Sequence, residues 1–446
     1  MMKTAVITTQ ENPWKELVLT ESTSEAGENN PTLTVTDQEN RDIMGFGSCF
    51  NELGMQALLK LEAEQRDQLL DELFLPEAGC SFNFCRLPIG ASDYADSWYS
   101  YDEVADDFEL NHFSIERDMK WIVPYVREAQ KRNPDIQFMA SPWSPPTWMK
   151  TKKAYNYGTL IWEEKYLKAY ALYFLKYIQA YDRLGIKIAQ LHIQNEVVAD
   201  QKFPSCRWSG EQLRDFIRDY LGPLFEANDI TTEIWLGTIN APETGTEERR
   251  NESQDYSAIA QVALFDPIAY KYIAGVGYQW AGKAAIQKTV DAFPEKRYLQ
   301  TESECGNGRN TWLYAEYVFN LLRHYFRNGT NGYLYWNAVL EQGGESTWGW
   351  KQNSMVSVKA ETKELIYNPE FYVMKHFSHF IQKGAKLLTL TGRDCADAVA
   401  VKNPDGTTVV VLSNQLAEAR EVKLALGGQQ FTLTAPAHSF CTVKLD

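Results

Sequence analysis

IAQLHIQNE, residues 188–196, is an apolar run too short for a core helix, and it closes on three polar side chains, Gln194, Asn195 and Glu196. Upstream, Tyr166, Leu167, Tyr170, Ala171, Phe174, Leu175 and Ile178 recur at helical spacing until Gly185 stops them. Downstream, Ser209 and Gln212 form a capping box for a second helix through Leu213, Phe216, Ile217, Tyr220 and Leu224. A buried strand between two helices is the repeating unit of a parallel sheet. Similar runs are IMGFGSCF (43–50), FNFCRLPI (82–89), IQFMASP (136–142), TEIWLG (232–237), AGVGYQW (274–280), RYLQTE (297–302) and GYLYWN (332–337). With the first, they make eight. Eight such strands alternating with helices predict an α/β fold, a (β/α)8 TIM barrel over residues 41–380. An open doubly wound sheet is the rival, but no GxGxxG or GxxxxGK[ST] follows a strand.

The two ends of the chain read differently. AVAVK (398–402), the turn Asn403-Pro404-Asp405-Gly406 and TTVVVLSN (407–414) form a hairpin pattern. EVKLAL, Gly427-Gly428, QQFTLTA and SFCTVKL continue it, and KELVLT and TLTVTD flank the turn-rich GENNP (27–31) near the N-terminus. Residues 1–40 and 381–446 are therefore expected to build one side β-sandwich from both chain termini.

Composition excludes several classes of function. The 446 residues carry 44 basic and 59 acidic side chains, a formal charge of −15 that repels nucleic acid and anionic membrane surfaces. No apolar run approaches the roughly 20 residues of a membrane span, so no stable membrane insertion is expected. The first residues, MMKTAVITTQENPWKEL, lack the apolar core of a secretory signal, and a cytoplasmic location is expected. Seven cysteines without a CxxC pair argue against a disulfide framework or a zinc ribbon. The 13 tryptophans are a first hint of a sugar site.

In such a barrel the chemistry sits where strands end. Glu196 closes the fourth run and Glu302 the seventh. A carboxyl leaving an apolar strand is partly desolvated, which raises its pKa and suits it to proton transfer near neutrality. Two of them across a barrel mouth are what glycoside hydrolysis needs, one to protonate the leaving oxygen and one to attack or stabilise the sugar cation. The plainer reading is that each caps a helix or pairs with an arginine. A non-catalytic carbohydrate-binding barrel would keep the tryptophans and lose a carboxylate. A metal centre has only His376 and His379 to draw on, which read as packing, and His192 reads as a hydrogen-bonded core residue. No metal or other cofactor is implied.

GFGSCFNELG (45–54), the stretch 84–118 with DDFELNHFSI, MASPWSPPTWMK (139–150), LHIQNEV (191–197), YLQTESECG (298–306), YWNAVLEQGG (335–344) and NPEFYVMKHFSHFI (368–381) together resemble glycoside hydrolase family 30. That group includes acid β-glucosidases (glucosylceramidases of sphingolipid metabolism) and bacterial β-1,6-glucanases. The resemblance implies a retaining β-glycosidase with carboxyls roughly 5–5.5 Å apart. It implies Glu196 as acid/base, Glu302 as nucleophile in preference to Glu304, and Arg86 as the group that keeps Glu302 ionised. It also implies that Asn195 bonds the sugar 2-hydroxyl, and that Asp93, Trp143, Trp280 and Trp336 bond or flank the first sugar. Two departures stand out. Val197 replaces the usual Pro after the acid/base, and Gln279-Trp280-Ala281 replaces His-Trp-Tyr on the sixth strand, with Tyr278 expected to point elsewhere. Gln342, Glu345, Trp348 and Trp350 form an aromatic-rich stretch that shapes the subsites. The implied substrate is a β-glucoside or a β-1,6-glucan, and the absence of a cation beside Asp93 favours a neutral sugar.

Overall fold

The computed structural model describes residues 3–19, 31–241 and 255–445. Eight parallel strands close into a barrel: β1 (Gly45–Cys49), β2 (Phe84–Ile89), β3 (Gln137–Pro142), β4 (Ile188–His192), β5 (Glu233–Ile239), β6 (Ile273–Gln279), β7 (Arg297–Glu302) and β8 (Gly332–Asn337). Each neighbour in sequence is a neighbour in space, and β8 returns to pair with β1. All eight expected strands are present.

Their boundaries differ in three informative places. Strand β4 stops at His192, so Asn195 and Glu196 stand beyond the strand rather than closing it. Asn195 N donates to Pro142 O of β3 and Glu196 N to Thr238 O of β5, so the loop is stitched to both neighbouring strands. Strand β5 runs on to Ile239, past the expected end at Gly237, because Ile239 still pairs with Tyr278 of β6, and the side chains of Thr238 and Asn240 meet partners at the barrel mouth. Strand β6 ends at Gln279, and Trp280 opens a short 3-10 turn.

The barrel interior is solid below the site. Phe84, Met139, Trp235, Leu299 and Leu334, from five different strands, pack together. Gly275 is part of that fit, since a Cβ there would meet the Trp235 ring at 2.6 Å. His192 is the expected core histidine, stacked on Trp235 with its Nε2 3.3 Å from Gln190 Oε1.

The side domain is a β-sandwich whose strands form one continuous hydrogen-bonded order drawn from both ends of the chain. That order is 429–435, 420–426, 33–42, 386–391, 398–402, 408–414, 439–445, 3–8 and 15–18. Of the expected turn GENNP, residues 27–30 lie outside the described residues. Ala5, Val35, Val410, Leu424, Phe431 and Val443 are among the side chains of its core. His376 joins the two domains, its ring nitrogens each 2.8 Å from the hydroxyls of Thr8 and Thr442. A small sheet of Val339–Glu341, Val356–Lys359 and Glu364–Tyr367, absent from the sequence reading, folds the segment after β8 back over the barrel mouth. No helix among the described residues is long and apolar enough to cross a membrane.

Candidate active site

Arg86, from the middle of β2, organises the mouth. It is fully buried, and burying a guanidinium is tolerable only when its N–H groups are used. Nη1 donates to Glu302 Oε2 at 2.7 Å, Nη2 to Asn195 Oδ1 at 2.6 Å, and Nε and Nη2 both reach Ser141 Oγ at 3.0 and 2.9 Å. The guanidinium carbon lies 4.5 Å from the Trp143 ring centre and 5.4 Å from that of Trp336. The two tryptophans pack on each other with centroids 5.2 Å apart.

Glu302 ends β7 facing inward, while Glu304 sits in the following loop, as the strand pattern predicts. Besides Arg86, Glu302 Oε2 accepts Gln279 Nε2 at 3.0 Å, and Oε1 lies 3.5 Å from the Cys305 thiol. Gln279 thus supplies a donor to this carboxylate, at the position where the family resemblance has a different residue. The same amide nitrogen lies 2.8 Å from Asn195 Oδ1 and 3.0 Å from Thr238 Oγ1. Tyr278 points behind the barrel, its hydroxyl 2.6 Å from Thr289 Oγ1, as alternation requires.

Glu196 is held differently. Its φ of +47° places a non-glycine residue in the left-handed region, a conformation concentrated at functional sites because surrounding contacts must hold it. Val197 is buried, and its carbonyl accepts Trp208 N at 2.7 Å, which anchors the loop where a Pro was expected. The Glu196 carboxyl accepts Asn240 Nδ2 at 2.9 Å, and Asn240 is fixed in turn by Ala281 N at 2.9 Å. Asn240 was invisible in the sequence reading because β5 was ended too early.

Asp93 follows β2, with Oδ2 accepting Gln352 Nε2 at 3.2 Å and Oδ1 buried without a protein partner. Asp93, Trp143, Asn195, Glu196, Trp280 and Glu302 line one cavity of about 340 Å³, at the small end of ligand pockets. Trp336 is brought to the site but packs on Arg86 and Trp143 rather than lining that cavity. Larger cavities elsewhere gather none of these groups.

Three carboxyls share this space with one guanidinium. Burial raises Glu302 and Glu196 above the usual carboxylate range; at Glu302 Arg86 opposes that rise, and at Glu196 the Asn240 amide and Arg86 do. Burial and the neighbouring Glu196 charge push Asp93 up to about 7. The hydrogen bonds separate the two glutamates. Glu302 Oε2 receives two N–H donors, one of them cationic, and so is built to be an anion. Glu196 receives one neutral amide and is the better place for a proton.

A closed barrel that brings an arginine-bound carboxyl and a second carboxyl, bonded by one neutral amide, to one aromatic cavity has the layout of a carboxylate-based glycosidase. The chain belongs to glycosyl hydrolase family 30. That family's TIM-barrel domain matches residues 43–381, and its beta sandwich domain matches residues 384–443. Over 442 residues the chain is 28% identical to a putative glucosylceramidase of Caenorhabditis elegans, covering 93% of this chain and 82% of the relative. It is 26% identical to an endo-1,6-beta-D-glucanase of Trichoderma harzianum, covering 90% and 83%. Among solved structures it is similar to the endo-beta1,6-glucanase BT3312, with a TM-score of 0.88, 25% identity and 99% of each chain covered. The chain is accordingly a glycoside hydrolase with a carbohydrate substrate.

Proposed function

We propose that the protein hydrolyses β-glucosidic linkages with retention, using Glu302 as nucleophile and Glu196 as acid and base. The observation that carries this reading is the unequal donor set on the two carboxyls. Glu302 Oε2 is tied to Arg86 and Gln279, so Oε1 is the oxygen that attacks the anomeric carbon. As that bond forms, the bond to the aglycone oxygen breaks and Glu196 gives that oxygen its proton. Water then enters, Glu196 takes its proton, and the ester to Glu302 is released. Asn195 Oδ1 is occupied by Arg86 and Gln279, which leaves Nδ2 to donate to the sugar 2-hydroxyl. Asp93 Oδ1, buried and unpartnered by protein, takes a sugar hydroxyl. Three carboxyls around one cation favour a neutral sugar over a uronic acid. Both named classes of relative, glucosylceramidase and endo-1,6-beta-D-glucanase, are named for glucosides.

The test is a panel of aryl β-glycosides beside gentiobiose, a β-1,6-glucan and a glucosylceramide, with the first-formed anomer followed by NMR. Turnover of β-glucosides with the β-anomer released first is expected. An α-anomer first, or no turnover of any β-glucoside, overturns the reading.

The pH profile gives a separate check. The Asn240 amide stabilises charged Glu196, so Asn240→Ala raises the pKa of that carboxyl. The proton needed for the first step then survives to higher pH, and the alkaline limb of kcat/KM moves upward. A limb that stays in place or moves to lower pH would remove Glu196 from the acid role.

A further inference from the structure

Beside the first-sugar cavity lies an aromatic surface that the mechanism above does not use. Trp350 lines the cavity mouth and is 43% exposed. Its ring is 5.2 Å from that of Trp348, with the planes tilted by 34°, and Trp348 is 5.4 Å from Phe203. Lys202 Nζ lies 5.3 and 5.6 Å from the two tryptophan centres and makes no ion pair among the described residues.

The surface is fixed to the cavity rather than loosely draped beside it. Trp348 Nε1 donates to Asp93 O at 2.9 Å, Tyr94 OH to Gly344 O at 2.6 Å, and Ser346 N to Trp350 O at 2.7 Å. Gln352, two residues on, bonds the Asp93 carboxylate itself. The loop that carries the tryptophans therefore moves only if the first-sugar site moves with it.

Resting on the glycosidase reading, we propose that Trp350, Trp348, Phe203 and Lys202 form the aglycone subsite, and that its occupant is a second neutral pyranose rather than a lipid. Flat rings suit the C–H face of a sugar, and an unpaired ammonium at their edge supplies donors for its hydroxyls. Two acyl chains would need a broad apolar surface to leave water. Among the large hydrophobic side chains exposed in the described residues, Trp350 is the one that borders the cavity. The acidic cavity next door repels an anionic aglycone. The proposal makes the protein an oligosaccharide hydrolase within the β-glucosidase class.

The kinetic test compares gentiotriose with β-glucosyl fluoride, whose leaving group is too small to touch the platform, in the wild-type and Trp350→Ala enzymes. The expected loss of kcat/KM is about tenfold greater on gentiotriose than on the fluoride. Lys202→Ala shifts the ratio the same way, by about threefold, as a lost hydrogen bond does. Gentiotriose is also expected to outperform glucosylceramide in detergent micelles. Equal losses on the two sugars, or glucosylceramide as the preferred substrate, overturn the proposal. Calorimetric binding of gentiotriose to Glu196→Gln, with and without Trp350→Ala, reads the platform with turnover suppressed, and unchanged affinity also counts against it. A wild-type enzyme inert toward β-glucosyl fluoride that still binds gentiotriose through Trp350 would sink the glucosidase reading and leave the platform standing.

Discussion

Replacing Glu302 by Gln is expected to lower kcat on an aryl β-glucoside by about 10⁴-fold or more, because the covalent step loses its nucleophile. The substitution also leaves the buried Arg86 without its anionic partner, a change that costs about 3–5 kcal/mol of stability when a buried pair is broken. Lost activity alone could then report lost folding. Labelling the wild-type enzyme with a 2-deoxy-2-fluoro glucoside separates the two. The slowed intermediate is expected as an ester on Glu302, found by mass spectrometry of the digested protein. A label on Glu304, or hydrolysis undiminished in Glu302→Gln, ends the assignment. The two glutamates are distinguished by their surroundings: Glu302 is 5% exposed and tied to Arg86, while Glu304 is in the following loop.

The second large effect belongs to Glu196. Glu196→Gln keeps the shape and removes the transferable proton, so the loss depends on how much help the leaving group needs. On gentiobiose, which departs as an alkoxide unless protonated, a fall of about 10²–10⁴-fold is expected. On a dinitrophenyl β-glucoside, whose leaving group is already a weak base, the first step is nearly unaffected and the glycosyl-enzyme accumulates. Added azide, which needs no general base, then restores turnover and yields a β-glucosyl azide. Equal losses on both substrates, with no response to azide, would show that Glu196 does not move protons.

Much of this was legible in the sequence, and the places where it was not have a common cause. The eight strands announced themselves because strands covered on both faces are apolar almost throughout, and Glu302 stood out as the carboxylate that ends one of them. Glu196 carried the same signature for a different reason. The run IAQLHIQNE is buried at all but Ala189 and Glu196, which are half-buried, yet its strand ends at His192, and residues 193–195 are a loop buried by neighbours on both sides. Apolar patterning reports burial, and it cannot tell a strand from a loop pinned between β3 and β5. Asn240 was missed, and Gln279 was noted only as a departure without a role, because each is an ordinary polar residue at a strand end, and its meaning depends on which carboxylate the barrel closure brings opposite. Cys305 was visible close to Glu302 in the sequence, but its approach to that carboxyl is set by the turn after β7. The tryptophans divide in the same way. Trp143 and Trp280 line the cavity, whereas Trp336 serves through its contact with Arg86, a distinction that only packing reveals.

The sandwich sets a timetable for the molecule. Thr4 pairs with Lys444 on one side, and Thr34 with Ala425, so each of these early strands completes one edge only after almost the whole chain exists. At ribosomal rates of about 5–20 residues per second, Thr4 waits roughly 20–90 s for Lys444. Throughout that interval the strand Lys3–Thr8, with apolar Ala5, Val6 and Ile7, has only Lys15–Val18 to pair with, and its other edge is open to other nascent chains. The yield of active protein in a cell thus depends on how well this first strand is sheltered until the last one emerges.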